Sequence, residues 1–186
     1  MEADWEFEVG GEAPVIEAYW PGLVDLRSTP ERASGLAETI QLPGLAAALE
    51  ALNAESSYVW TSKCDFWPLL DSDEFDPDEL NAPAVCSANT MSCFIDLLAR
   101  EERAWALPAK AEAECRRICA LLNPVPLRCC RADLVIRRAY IGSEHSDLGI
   151  TAYITACGSS SSEAKVTLRA ALTAFVHALL CASKLQ

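Results

Sequence analysis

The alternation of apolar and polar positions predicts five β-strands, because successive side chains of a strand point to opposite faces. The clearest strand is 148–157, where apolar positions 150, 152 and 154 alternate with Thr151, Tyr153 and Thr155. This alternation gives the strand one dry face and one amphipathic or wet face. A polar loop at 142–147 joins it to the preceding strand in a predicted hairpin. The five predicted strands are residues 15–26, 58–66, 92–98, 132–141 and 148–157.

Apolar residues spaced by three and four positions predict three main helices. In the last of them, Leu168, Leu172, Phe175 and Leu179 lie on one stripe, which we expect to face the core. A Thr-Pro-Glu sequence at 29–31 predicts the start of a further short helix, because proline is favoured at the first helical position. The main helices are predicted at residues 43–52, 108–122 and 161–181.

These elements predict an α+β fold, with a largely antiparallel or mixed sheet of about five strands and two to three main helices packed on one face. No glycine-rich or proline-rich linker divides the chain, so we expect residues 1–186 to form a single compact domain. Segments 23–26 and 94–97 are similar, and each is followed by a Leu-Pro pair, a helical stretch and a strand. The similarity of the two segments leaves open an origin from duplicated βαβ units.

Composition indicates a globular protein. Apolar residues make up 51% of the 186 residues and charged residues 23%, which suffices for a sizeable core. The acidic first segment does not resemble a secretory signal, and the longest apolar run, 174–182, is too short to cross a bilayer. We therefore expect a soluble cytoplasmic protein with no membrane partner.

The nine cysteines are predicted to be reduced thiols. Their number is odd, and without a secretory signal the expected compartment is the reducing cytosol. Cys115 and Cys119 share an apolar helical stripe, and the adjacent Cys129 and Cys130 would point to opposite faces of a strand. Neither pair has the spacing of a zinc site, so we expect no metal and no cofactor.

The net charge of −12 is unevenly distributed. Residues 1–80 hold 18 acidic and 3 basic residues, whereas residues 81–186 hold 9 acidic and 12 basic residues. This asymmetry fits either an acidic surface for a partner or two halves of one fold that attract each other. The arginines of the second half are expected to pair with acids or with another protein chain, because binding of nucleic acid normally accompanies a basic domain.

The densest acidic run lies at 71–79, where six of nine residues are carboxylic acids. It lacks the oxygen ligand and the glycine that an EF-hand calcium loop needs at its fifth and sixth positions. Two interpretations stay open: a solvated loop that leads into a short helix at Pro77, or a docking patch for a basic partner. The candidate partner-binding residues are Asp71, Asp73, Glu74 and Asp76.

The aromatic residues lean toward the same half, with nine of fourteen in the first 80 positions. Rings attract cations and carboxylates pair with them, so this combination suits a basic partner. It is also what a tryptophan-rich core beside an acidic surface would give. The leading functional hypothesis is a non-enzymatic binding or adaptor protein that engages a basic protein partner through an acidic, aromatic-rich surface.

The best local candidate for chemistry is the predicted junction of the last strand and the last helix, at Cys157, Gly158, Ser159 and Ser160. The serines suit helix capping, the helix N-terminus suits an anion, and its field could activate Cys157 as a thiolate. Motifs of serine hydrolases, dinucleotide enzymes and phosphate-binding loops are absent from the sequence. The alternative hypothesis is therefore a small-molecule enzyme or ligand-binding protein with an anion site at this junction.

Overall fold

A computed structural model of the chain describes residues 1–69, 77–83, 86, 89–142 and 145–181. The described strands are β1 (Glu2–Glu8), β2 (Ile16–Ala18), β3 (Val59–Leu69), β4 (Thr90–Ala99), β5 (Cys130–Ile141) and β6 (His145–Cys157). The described helices are α1 (Ala37–Gln41), α2 (Pro43–Asn53), α3 (Pro108–Leu122) and α4 (Ser161–Cys181), with 3-10 helices at Pro30–Gly35 and Pro77–Leu80.

The strands form one mixed sheet in the order β1-β5-β6-β4-β3, and β2 also pairs with β5. β1 and β2 run parallel to β5, whereas the β5–β6, β6–β4 and β4–β3 pairs are antiparallel. β5 and β6 form the predicted hairpin. The expected α+β fold with a mixed sheet is confirmed.

Helices α2, α3 and α4 cover one face of the sheet and enclose the main hydrophobic core. The core side chains of β6 are Ile150, Ala152 and Ile154, and all three are fully buried, as the alternation predicts. In α4, Phe175 is likewise buried, together with the other three residues of its predicted stripe. By length and composition α4 alone among the described helices would suffice to cross a membrane, but its apolar stripe packs on the sheet and on α2.

Among the described residues, the opposite face of the sheet is covered at its two ends. At one end β2 packs Ile16 and Ala18 against Trp60 of β3 in a small second cluster. At the other end Leu80, from the 3-10 helix, packs on Cys157. The middle of this face carries no helix among the described residues, and it supplies the candidate site below.

Two parts of the sequence-based prediction are wrong. The strand predicted at 15–26 is limited to β2, because Tyr19 adopts a left-handed backbone (φ 62°) and Gly22 a second positive φ (100°), so that the chain turns. Segment 23–26 lies outside any strand, so its similarity in sequence to segment 94–97 does not extend to its structure. In addition, β1 was not predicted, although it forms an edge of the sheet.

Ion pairs join the acidic first half of the chain to the basic second half. Arg137 Nη2 lies 2.8 Å from Glu8 Oε2, and Arg131 Nη1 lies 3.3 Å from Glu79 Oε2. Arg138 also donates hydrogen bonds to the backbone carbonyls at positions 9 and 10. The expectation that the two halves attract each other is confirmed for these pairs.

Candidate binding face of the sheet

The face of the sheet that the three main helices leave uncovered is called here the open face. Side chains from five strands reach it, because alternate residues of each strand point away from the helices. Its members in the middle of the sheet are Glu2, Asp4, Glu6 and Glu8 of β1, Arg131, Asp133, Val135 and Arg137 of β5, Thr151, Tyr153 and Thr155 of β6, Ser92, Phe94 and Asp96 of β4, and Asp65 and Trp67 of β3.

Three half-buried aromatic rings form a row across the open face. The ring centroids of Trp67 and Phe94 lie 6.2 Å apart at 55°, and those of Phe94 and Tyr153 lie 6.1 Å apart at 47°. Strand register brings them together, since Phe94 is the direct partner of Tyr153 and Trp67 is the partner of the neighbouring residue, Ser92. These separations are those of mutually favourable aromatic pairs.

Carboxylates flank this aromatic row on both sides. The register places Asp65 directly opposite Phe94 on β3 and Asp133 directly opposite Tyr153 on β5. Asp65 is exposed and forms no ion pair with any residue that the structure describes. Burial raises the pKa of Asp133, and the hydrogen bond from Arg131 opposes that rise. The row therefore has an available negative charge at one end and a compensated one at the other.

The cations near the row are already paired with acids. Arg137 binds Glu8, and it also donates hydrogen bonds to the hydroxyl groups of Tyr153 (3.0 Å) and Thr151 (3.4 Å). Arg131 binds Asp133 at 2.7 Å, in addition to its contact with Glu79 of the 3-10 helix. These arginines thus fix the rings and acids in place rather than present unpaired positive charge.

Asp96 lies at the bottom of the open face, with 6% of its surface exposed. Its carboxylate accepts a hydrogen bond of 2.6 Å from the Thr151 hydroxyl group. Burial raises the pKa of Asp96, whereas that hydrogen bond and the charges of Arg137 and Lys63 lower it. Glu8, Arg137, Thr151 and Asp96 consequently form a polar chain across four strands beneath the open face.

Two depressions border the aromatic row. One has a volume of about 340 Å³ and is lined by Trp67, Tyr153 and Glu6, among others. The second has a volume of about 440 Å³ and lies beside the bulge in β3, where Phe94 and Asp65 line it together with residues of the segment 20–38. Both volumes match those of ligand sites, so side chains of a partner can insert next to the row.

The sequence-predicted thiol lies away from these depressions. Cys157 is fully buried against Leu80 and Cys86, and burial raises its pKa to about 12. A thiol with such a pKa is almost entirely protonated at neutral pH, so this geometry does not supply a thiolate nucleophile. All nine cysteines are free thiols in the structure.

The neighbouring Gly158, Ser159 and Ser160 form a helix cap. The Glu163 backbone N–H donates to Ser160 Oγ at 3.2 Å, and the Glu163 carboxylate accepts hydrogen bonds from both the N–H (2.8 Å) and the hydroxyl of Ser159. These bonds lower the pKa of Glu163. A Cβ on Gly158 would lie 2.5 Å from the backbone nitrogen of Ala164, so only glycine fits there. The capping interpretation is confirmed, and both donors of Ser159 already face the Glu163 carboxylate.

The predicted acidic patch of Asp71, Asp73, Glu74 and Asp76 lies outside the described residues. Leu69 and Glu79, on either side of that segment, both line the 340 Å³ depression of the open face. The five tryptophans differ in environment. Trp60 and Trp105 are buried, Trp5 and Trp20 are half-buried outside the aromatic row, and only Trp67 joins that row.

Sequence reasoning missed Phe94, Asp96 and Arg137, which come from the second half of the chain. Its one usable signal was the wet side of β6, where Tyr153 stands between two threonines.

Within the described part of the chain, no three His, Cys, Asp or Glu side chains come together as metal ligands would. Comparison with protein-family models, curated proteins and solved structures found no match.

Proposed function

We propose that this protein binds a basic segment of another protein on the open face. The observation that carries the proposal is the row of Trp67, Phe94 and Tyr153, flanked by Asp65 and Asp133 on a sheet face that the helices leave uncovered. Lysine and arginine are the side chains that fit such a surface. Their apolar stems pack on rings and their charged ends reach carboxylates.

The same chemistry already holds this chain together internally. The Arg27 guanidinium carbon lies 4.2 Å from the Trp60 ring centroid and 5.4 Å from that of Tyr19, and Asp25 binds the guanidinium at 2.6 Å. In the open face, Arg137 lies 5.5 Å from the Tyr153 centroid. A partner arginine or lysine over Trp67 would extend this pattern with Asp65 as its acid.

The charge of the open face also selects the kind of partner. β1 contributes four acids to it, and only Glu8 of these is ion-paired among the described residues. Aromatic rows on open sheets are typical of proteins that bind single-stranded nucleic acid, but phosphates would be repelled here, in a chain of net charge −12. A basic protein segment, in contrast, would be attracted over a distance of about a Debye length, ~10 Å.

The acidic segment with Asp71, Asp73, Glu74 and Asp76 belongs to the same proposal. It connects β3, which carries Trp67, to the 3-10 helix that carries Glu79. Its charges would raise the rate of encounter with a basic partner before the rings are engaged. The alternative, an anion site at the junction of β6 and α4, is less favoured, since Glu163 already occupies the two donors of Ser159 there.

The proposal is tested with a short synthetic peptide rich in lysine and arginine, and with a matched peptide in which glutamine replaces both. Wild-type protein should bind the basic peptide only, and binding should fade as salt rises toward ~0.5 M, where charges are screened within a few ångströms. Trp67→Ala should weaken binding about tenfold, the equivalent of ~1.4 kcal/mol. Asp65→Asn should weaken it by a smaller factor, because the lost charge is exposed.

Glu31→Gln and Glu55→Gln are the matched controls, because both acids are exposed and neither lies on the open face. Each removes one negative charge and should leave the affinity within about twofold of wild type. Thermal unfolding of every variant checks that the fold is intact. Equal losses of affinity in the control and open-face variants would mean that the effect comes from net charge alone, and this result would contradict a specific site.

A further inference from the structure

A further cavity, here called the basic cavity, lies at the C-terminal end of β4 and away from the open face. It has a volume of about 630 Å³, and its walls come from Tyr58, the segment 99–105 and α3. Four of its lining residues are cationic, a concentration of positive charge that stands out in an acidic protein. They are Arg100, Arg103, Lys110 and Arg117, against three acids, Glu101, Glu102 and Glu114.

Arg117 is only partly satisfied on the wall of the basic cavity. Its Nη2 group contacts the buried carboxylate of Glu114 and donates to the Tyr58 hydroxyl at 3.3 Å. The Tyr58 hydroxyl donates to the same carboxylate, which satisfies that side of the cluster. The Nη1 group of Arg117 is buried and has no acceptor among the described residues.

Arg100, which also lines the basic cavity, likewise has one buried donor without an acceptor among the residues that the structure describes. Its Nη2 group donates to the backbone carbonyls of Asn53 (2.5 Å) and Ala54 (3.0 Å), which end helix α2. Its Nε–H is buried and has no acceptor in the part of the chain that the structure describes. A buried donor without an acceptor is destabilising, because folding removes its hydrogen bonds to water. Two such guanidinium donors in residues that line one cavity therefore point to a missing acceptor.

The rim of the basic cavity adds charge that a solute can reach. Lys110 and Arg103 are both exposed, and Lys110 stands in the first turn of α3. Flexible cations at the rim can close over an anion that the two half-buried arginines, Arg100 and Arg117, hold. Of the acids, Glu114 is committed to Arg117 and Tyr58 and lies within the wall.

We propose that the basic cavity binds a small organic anion through a carboxylate or phosphate group. Such oxyanions carry several acceptor lone pairs and match the planar donor fork of arginine. The volume is that of a site for a small molecule, and the lining has four cations against three acids, which leaves a net positive charge. This site is independent of the open face, and neither proposal depends on the other.

Citrate and inorganic phosphate are the probes, added separately to isotope-labelled full-length protein and followed by NMR. Sodium chloride at the same ionic strength is the control. We expect saturable shifts of backbone amides in 99–117 and of the Arg100 and Arg117 side-chain Nε–H signals, with amides of the open face unchanged. Response to citrate alone identifies a carboxylate ligand, and response to phosphate alone a phosphate ligand; either supports the site.

Variants locate the binding. Lys110→Gln and Arg103→Gln should each lower the affinity for the anion that binds by about fivefold or more, since each removes a charge-assisted contact. Arg32→Gln and Arg169→Gln remove exposed cations elsewhere and should leave the affinity unchanged. The proposal is overturned if neither anion shifts residues 99–117 beyond the chloride control, or if the rim and control variants behave alike.

Discussion

Asp96 is the residue whose environment differs most from that of an ordinary surface acid. It lies under the open face with one hydrogen bond from Thr151, and burial raises its pKa. A raised pKa in the folded state means that the protonated form is favoured by folding. The charge of Asp96 therefore lowers stability at neutral pH, and this cost is removed as pH falls through the folded pKa toward the unfolded value of 3.8.

Asp96→Asn tests that account, because asparagine can still accept the Thr151 hydrogen bond without a charge. We expect the variant to be at least as stable as wild type near pH 7. The stability of wild type relative to the variant should then rise as pH is lowered toward the unfolded pKa of 3.8. Urea unfolding at both pH values measures the difference, and Asp65→Asn serves as the exposed control. A wild type that loses stability relative to Asp96→Asn on acidification would show that the Asp96 charge is stabilising.

At the scale of elements, α4 holds the sheet and the other helices together through Phe175. This ring is fully buried in the main core, so Phe175→Ala should reduce the free energy of unfolding by about 3–5 kcal/mol. Val166→Ala is the matched control in the same helix, since Val166 is 54% exposed and should change stability little. A loss below about 1 kcal/mol for Phe175→Ala would mean that α4 is peripheral.

The sequence predicted the elements with strong periodicity and missed those without it. Helices α2, α3 and α4 and strands β3 to β6 lie close to their predicted positions because each buries one clear face. β1 was missed although Ala3, Trp5 and Phe7 alternate with acids, a period of two. In a sequence, an acid at every other position is typical of a solvated tail. Residues 2–8 form a strand because they pair with β5.

At the scale of the whole molecule, the open face could not be read from the sequence because register assembles it. Trp67, Phe94 and Tyr153 come from three strands that are distant in sequence and adjacent in the sheet. The acidic and aromatic bias of the first half did not single out these residues, since Phe94 and Tyr153 lie in the second half and Trp60 packs in a hydrophobic cluster. Local patterns determine elements, whereas a surface depends on how the elements pair.

The measurement that tests the central proposal most directly is intermolecular NMR contact data for the complex with the lysine- and arginine-rich peptide. The account predicts nuclear Overhauser contacts from side-chain methylene protons of the peptide to ring protons of Trp67, Phe94 and Tyr153. These rings form one row, so a single bound segment should contact all three. A saturated complex whose contacts lie elsewhere, with none to these rings, would contradict the account.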